Sequence, residues 1–294
     1  MQSPNAHHTP LHLQPMTLIA GPCVIEDEGL VMEIATELKH QLQGLPVHLF
    51  FKASFDKANR SSIDGFRGPG LDEGLKILGR VKEKLGLPLL TDVHIPDQCE
   101  KVAQVVDFLQ VPAFLCRQTD LIVAASEAAL KWNRWLNVKK GQFLAPWDAK
   151  NIVDKVRAVE AQHGGNKKIP LHLTERGICY GYNTLVVDMI SFQTMAKFGV
   201  PIIYDATHSI QSPGGGPGGK STGGKREYLE VLARAAFAAG ADGLFMECHP
   251  RPSLAKSDGP NAFYLEHVGE FIKQILEFRR LAATLPKLLP EAQS

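Results

Sequence analysis

Eight short apolar stretches punctuate this chain, and nearly every one runs directly into charged, amide, thiol or imidazole side chains. They are LIAGPC at 18–23, VHLFFKAS at 47–54, LPLLTDVH at 87–94, FLQVPAFLCRQ at 108–118, LNVKKGQ at 136–142, LHLTERG at 171–177, PIIYDATH at 201–208 and GLFMECHP at 243–250. Segments 28–43, 71–85, 97–107, 149–163, 183–198, 226–239 and 262–284 carry spaced apolar residues suited to helices packed outside a sheet. Strands alternating with helices in this way predict an α/β fold, a (β/α)8 TIM barrel whose chemistry collects at the C-terminal ends of the strands. After the fourth stretch the helix is less sharply bounded, because SEAALKWNRWLN runs on without a glycine stop. Its Trp132 and Trp135 are expected to pack against the barrel or a subunit neighbour rather than stack on a ligand.

A length of 294 residues suits one barrel, and 44% hydrophobic composition can supply its core. The expected division is a polar, proline-punctuated lead-in over residues 1–15, a single catalytic barrel over 16–286, and a tail over 287–294. Lysine and arginine total 32 against 31 acidic residues, a formal charge of +1, so no general polyanion-binding surface is indicated and nucleic acid is not an expected partner. Any anion site must be local. Five cysteines, at 23, 99, 116, 179 and 248, show neither CxxC spacing nor a disulfide framework, which points to a reducing cytoplasm. No run approaches the length that spans a bilayer, and the start lacks the pattern of a secretion signal.

The glycine-rich run SPGGGPGGKSTGGKRE at 212–227 interrupts the pattern after the seventh strand. Its GGKST lacks the GxxxxGK[ST] register of a phosphate loop. Glycines free of side-chain bulk suit a mobile lid, with a plain surface loop as the competing reading.

Cationic residues are densest in KASFDKANRSS at 52–62, which sets Lys52, Lys57, Asn59, Arg60 and Ser61 where the second strand leaves the barrel. Lys139 and Lys140 lie at another strand end, and Arg176 follows Glu175 at a third. Strand ends converge in a barrel, so these residues can form one pocket for phosphate or carboxylate oxygens. Arg117 could extend it or face a subunit neighbour. By the same convergence Cys23, His208, Glu247 and Asp258 could surround a divalent metal. A thiolate, an imidazole and two carboxylates suit Fe2+, Zn2+ or Mn2+. Bland readings compete: Cys23 as a buried small hydrophobe, Glu247 as an ion-pair partner. Cys248 should point opposite Glu247 in a regular strand and is left out of the set.

Taken together, FKASFDKANRSS, FRGPGL, LLTDVH, QVPAFLCRQTDL, NVKKGQFLAPWD, LTERG, YNTLVVDM, IYDATHS and GLFMECHP resemble the 3-deoxy-D-manno-octulosonate-8-phosphate synthase family from about residue 18 to residue 275. The resemblance implies a homotetrameric barrel that condenses phosphoenolpyruvate with arabinose 5-phosphate for lipopolysaccharide biosynthesis. It assigns Lys52, Lys57, Gln110, Lys139 and Arg176 to phosphoenolpyruvate, and Asn59, Arg60 and Ser61 to arabinose 5-phosphate. Arg117 would reach a neighbouring subunit's sugar phosphate. Lys57, Lys139, His208 and Asp258 are the implied catalytic groups. Metal-independent members carry asparagine at the position of Cys23, so the chain resembles the metal-dependent branch, with Cys23, His208, Glu247 and Asp258 as ligands. Two alternatives stand beside this reading. One is the related 3-deoxy-D-arabino-heptulosonate-7-phosphate synthase, which uses erythrose 4-phosphate and typically carries a KPRTSP-like block where this chain has KANRSS. The other is a non-catalytic barrel that binds anionic metabolites.

Overall fold

The computed structural model describes residues 14–216, 218, 222–286 and 288. The expected lead-in falls outside the described residues except for 14 and 15, and the expected tail except for 288. Eight parallel strands form the barrel: β1 (Met16–Gly21), β2 (Val47–Lys52), β3 (Leu89–Asp92), β4 (Phe108–Val111), β5 (Trp135–Lys139), β6 (Leu171–Glu175), β7 (Ile202–Asp205) and β8 (Gly243–His249). Each pairs with the next, and β8 pairs with β1 from Thr17↔Gly243 to Gly21↔Glu247, which closes the sheet. Among the described residues eight α-helices lie between and after the strands: α1 (Glu28–Gln41), α2 (Leu71–Leu85), α3 (Pro96–Val105), α4 (Thr119–Trp132), α5 (Lys150–Gln162), α6 (Ile190–Ala196), α7 (Leu229–Ala238) and α8 (Val268–Thr284). Among the described residues no helix is long and apolar enough to cross a membrane.

Side chains alternate across a strand, so every second residue faces the barrel axis. Ile19, Phe50, Leu90, Phe108, Ile203 and Phe245 form one buried apolar cluster, separate from the larger core that contains their neighbours Leu18, Phe51, Leu89, Leu109, Ile202 and Leu244. Burying each large apolar side chain contributes roughly 1.5–3 kcal/mol. Two residues further along the same strands stand Lys52, Asp92, Gln110, Asp205 and Glu247, all buried. The apolar plug thus becomes a polar floor within one step of the strand repeat. Gly21, at the end of β1, is required by packing: a Cβ there would lie 2.1 Å from the Lys52 carbonyl oxygen. That close approach brings the chain after β1 against the end of β2.

Three local expectations are corrected. The segment 183–198 is not one helix: Leu185–Val186 pairs antiparallel with Ile178–Cys179, and only Ile190–Ala196 is α-helical. The missing glycine stop after α4 is supplied by Asn133, which adopts the left-handed conformation (φ +56°) as the C-cap. Asparagine tolerates that region better than other side chains, so a helix can end without glycine. Helix α8 begins at Val268, and Phe263–Tyr264 instead pairs in parallel with Cys248–His249 at the end of β8. The tryptophans part company. Trp132 is 36% exposed and its indole N–H donates to Glu100, whereas Trp135 stacks on His172 with ring centroids 5.1 Å apart and also meets Phe50 and Phe108.

His172 is buried, and burial lowers its pKa to about 4, with the Pro170 carbonyl pulling the other way. Below the ordinary value of 6.5 the unfolded chain takes up a proton that the fold refuses until about pH 4. Stability conferred by the neutral ring is therefore complete above pH 6.5 and falls as the pH drops toward 4, by roughly 3 kcal/mol. Urea unfolding at pH 7 and pH 4.5 should show a smaller loss for His172→Phe than for the wild type; identical losses would contradict this assignment.

Candidate active site and metal centre

The C-terminal ends of the strands enclose a cleft of about 680 Å3, within the range of small-molecule sites. Its floor is a set of opposed charges. Lys52 Nζ lies 2.6 Å from Glu247 Oε1, and Lys139 Nζ lies 2.6 Å from Asp205 Oδ2 and 3.4 Å from the centre of the Phe245 ring. Burial alone would raise the Glu247 carboxyl, but Lys52, His208 and Lys57 overcome it and hold the group well below the usual carboxylate range. For Lys139 burial wins over Asp205 and Asp92, and its pKa is lowered from the ordinary lysine value. Lys57 Nζ sits 4.0 Å from Glu247 and donates to Ser54 Oγ, which in turn donates to Asp92 Oδ2 at 2.5 Å.

A hydrogen-bonded belt runs across the next strands. Gln110 Nε2 donates to Asp92 Oδ1 at 2.6 Å, Asn137 Nδ2 donates to Gln110 Oε1 at 2.8 Å, and Thr174 Oγ1 donates to Asn137 Oδ1 at 2.8 Å. Asp92 is kept ionised against its burial by Lys52, Lys57, His94 and Lys139. A carboxylate only accepts, so it sets the direction of every bond in the belt and thereby the orientation of the Gln110 amide.

The four residues expected to hold a metal meet on one side of the cleft. Ligand atoms of Cys23, Glu247 and Asp258 lie within 4.8 Å of one another. His208 Nε2 is 3.7 Å from Glu247 Oε1 and 3.9 Å from Asp258 Oδ2, while its Nδ1 is held by Asp205 Oδ2 at 2.8 Å. A carboxylate on the far ring nitrogen is the usual way a ligating imidazole is oriented. Glu247 Oε2 is buried without a hydrogen-bond partner, an acceptor for which a cation would account. Cys23 Sγ lies 2.8 Å from Ser257 Oγ and 3.2 Å from Asp258 Oδ2. Burial first, then Glu247, push its thiol well up, and coordination would reverse this because a bound thiol gives up its proton. The donor set therefore fits a divalent ion of borderline softness. Cys248 packs in the outer core, on the face opposite Glu247, as the strand parity requires.

The wall opposite in chemistry is cationic. Arg176 is buried, with Nη2 donating to the His208 carbonyl at 2.7 Å and to Gln211 Oε1 at 2.8 Å, and its Nε has no partner. Burial lowers the pKa of this guanidinium against the pull of Asp205 and Asp258. Asn59, Arg60 and Ser61 also line the cleft; Arg60 Nε donates to the Phe66 carbonyl, and its buried Nη2 has no partner. Pro213, Gly214 and Thr222 of the glycine-rich run border the same space. Two sequence expectations fall outside it. Lys140 points away from the axis and is buried 3.3 Å from Glu175 Oε2, since it follows Lys139 on a strand whose side chains alternate. Arg117 is exposed and does not line this chain's cleft.

Residues 12–283 match the family described as DAHP synthetase I. The chain belongs to the DAHP synthetase I family. It is similar to proteins named 2-dehydro-3-deoxyphosphooctonate aldolase, the same enzyme as 3-deoxy-D-manno-octulosonate-8-phosphate synthase. It is 54% identical to the one from Trichlorobacter lovleyi over 260 residues, covering 88% of this chain and 91% of the relative. It is 51% identical to that of Desulfatibacillum aliphaticivorans over 269 residues, covering 92% and 94%. The resemblance carried by the motifs is thus matched along the DAHP synthetase I chain and not at isolated blocks alone.

Several members of the site went unnoticed in the sequence: Ser54, Asp92, Asn137, Thr174, Asp205, Gln211 and Ser257. A signal existed for Asp92 and Asp205, each two residues beyond an inward apolar residue on its strand. None marked Gln211 or Ser257, which loops bring in. Titration of Zn2+ into metal-stripped protein should give one site per chain, and Cys23→Ala should weaken it by at least the ~10–100-fold that even outer partners of a metal command. Unchanged zinc affinity in that variant would exclude Cys23 from the donor set.

Proposed function

We propose that this chain joins carbon three of phosphoenolpyruvate to the aldehyde carbon of arabinose 5-phosphate while water adds at carbon two. The products are 3-deoxy-D-manno-octulosonate 8-phosphate and inorganic phosphate. The observation that carries the reading is a single cleft in which two arginines, Arg60 and Arg176, each keep an unsatisfied guanidinium nitrogen. Two anionic substrates have two separate partners there, in a chain aligned nearly end to end with enzymes named for this product. The names of those relatives and the KANRSS block both favour the five-carbon sugar over erythrose 4-phosphate, and an enzyme over a mere binding barrel.

In this reading Lys52, Lys57, Gln110, Lys139 and Arg176 receive phosphoenolpyruvate, and Asn59, Arg60 and Ser61 receive the sugar phosphate. Positive groups hold two like-charged substrates together and convert their encounter into a reaction within one complex. As the carbon–carbon bond forms, the aldehyde oxygen gains negative charge and a proton, and the attacking water loses one. Lys57, Lys139, His208 and Asp258 are the titratable groups placed to exchange those protons. The resulting intermediate expels phosphate by cleavage of the C–O bond. Cys23, His208, Glu247 and Asp258 would hold a divalent ion, with Fe2+, Zn2+ and Mn2+ all suited, and that ion would supply Lewis-acid chemistry. Arg117, exposed here, serves a neighbouring subunit's sugar phosphate in a homotetramer, and the five free cysteines accord with a cytoplasmic setting.

Phosphoenolpyruvate carrying heavy oxygen in its bridging position should deliver that label to the released phosphate; label retained in the sugar acid would contradict C–O cleavage. Loss of a charge-assisted hydrogen bond costs about 1.5–3 kcal/mol. Arg60→Ala is accordingly expected to raise the KM for arabinose 5-phosphate by about tenfold or more while the KM for phosphoenolpyruvate changes little. Equal effects on both substrates would remove Arg60 from the sugar side.

A further inference from the structure

Gln211 stands where the chain leaves the 3-10 turn after β7 and enters the glycine-rich run, and the short strand it begins pairs with Gly223–Gly224. Its amide is committed in two directions. Oε1 accepts from Arg176 Nη2 at 2.8 Å, and Nε2 donates to Asp258 Oδ1 at 2.9 Å. Chemistry dictates that orientation, because a flipped amide would set NH2 against a guanidinium and a carbonyl against a carboxylate. On the Arg176 side, Gln211 and the His208 carbonyl share one nitrogen and so fix the guanidinium plane, while the buried Nε has no partner and the residue lines the cleft. On the Asp258 side, the oxygen that Gln211 does not hold is the one that lies 3.2 Å from Cys23 Sγ and 3.9 Å from His208 Nε2. Asp258 also adopts φ +50°, off any helix or strand, so neighbouring groups must set the direction of its carboxylate.

We propose that Gln211 is a positioning residue that couples the two halves of the site: an anion on Arg176 and a metal at Asp258 each favour the other through this one amide. The inference rests on the reading of Arg176 as an anion-binding group and of Asp258 as a metal ligand. An anion that draws on Arg176 stiffens the Gln211 carbonyl contact, and the Nε2–Asp258 bond then presents Oδ2 to the cation. By linkage the effect runs equally in reverse, with couplings of this kind typically about 5–150-fold. The same residue ties both halves to the base of the glycine-rich run, whose Pro213 and Gly214 border the cleft.

The test titrates Zn2+ into metal-stripped full-length protein with and without phosphoenolpyruvate, and phosphoenolpyruvate by calorimetry with and without Zn2+. In the wild type each ligand should tighten the other by the same factor, about fivefold or more. Gln211→Met keeps the length and loses both bonds. It should lower zinc affinity by about 10–100-fold and bring the coupling factor close to one, while the metal-stripped protein still unfolds in a single cooperative transition. Gln211→Asn, too short to span both partners, should show the same loss of coupling and guards against a misfolded methionine variant. Arg176→Met separates the two layers of the argument. Unchanged phosphoenolpyruvate affinity in that variant would overturn the reading of the anion site itself. Weakened affinity there, with zinc binding and coupling both retained in Gln211→Met, would overturn the role given to Gln211.

Discussion

Buried charge is the constraint on which this barrel top depends. Lys52, Lys139 and Arg176 are buried beside Asp92, Asp205 and Glu247 at the base of the cleft. A single unpaired ion in such surroundings carries a penalty of several kcal/mol, and breaking one of these pairs by removing a partner would cost about 3–5 kcal/mol. The site is stable because cations and anions are paired across the strand ends, with Lys52 on Glu247 and Lys139 on Asp205. The apolar plug beneath, built from Phe50, Phe108, Phe245 and their neighbours, keeps water from reaching the pairs from below. Lys57, Arg60 and Arg176 add further positive charge around those two pairs on the cleft wall.

Strand parity made much of this legible in the chain itself. Each apolar stretch that ends in a polar residue two steps beyond an inward phenylalanine, leucine or isoleucine is a strand delivering that residue to the floor: Phe50 to Lys52, Phe108 to Gln110, Phe245 to Glu247. The same parity separates Lys140 from Lys139, since adjacent residues of a strand face opposite sides, so the two do not form one cationic group. Helix boundaries were harder. At 183–198 the apolar spacing is compatible with a helix, yet the backbone of Leu185–Val186 finds partners in Ile178–Cys179 instead. At Asn133 a stop was present but written in a residue that only sometimes ends helices.

Contacts between side chains distant in the chain could not be read that way. Asn137 and Thr174 look like unremarkable strand residues, and only the register of β4, β5 and β6 sets them in line with Gln110 and Asp92. Ser257 and Asp258 come from the loop after β8, and Asp258 reaches the cluster through a left-handed backbone that no periodicity announces. The proposed metal-ligand set follows from the family resemblance, whereas the contacts of Asp205 with His208 and of Gln211 with Asp258 needed the fold.

The floor belongs to the barrel strands, whereas in the proposed reaction discrimination between sugars would fall to the loop after β2, where Asn59, Arg60 and Ser61 line the cleft and would set the distance from the phosphate to the reacting aldehyde. A fixed phosphate anchor rejects a sugar of the wrong length by misplacing its carbonyl. Comparing kcat/KM for arabinose 5-phosphate and erythrose 4-phosphate, each with phosphoenolpyruvate, tests that account most directly. A strong preference for the five-carbon sugar is the predicted result, and an equal or reversed preference would contradict it.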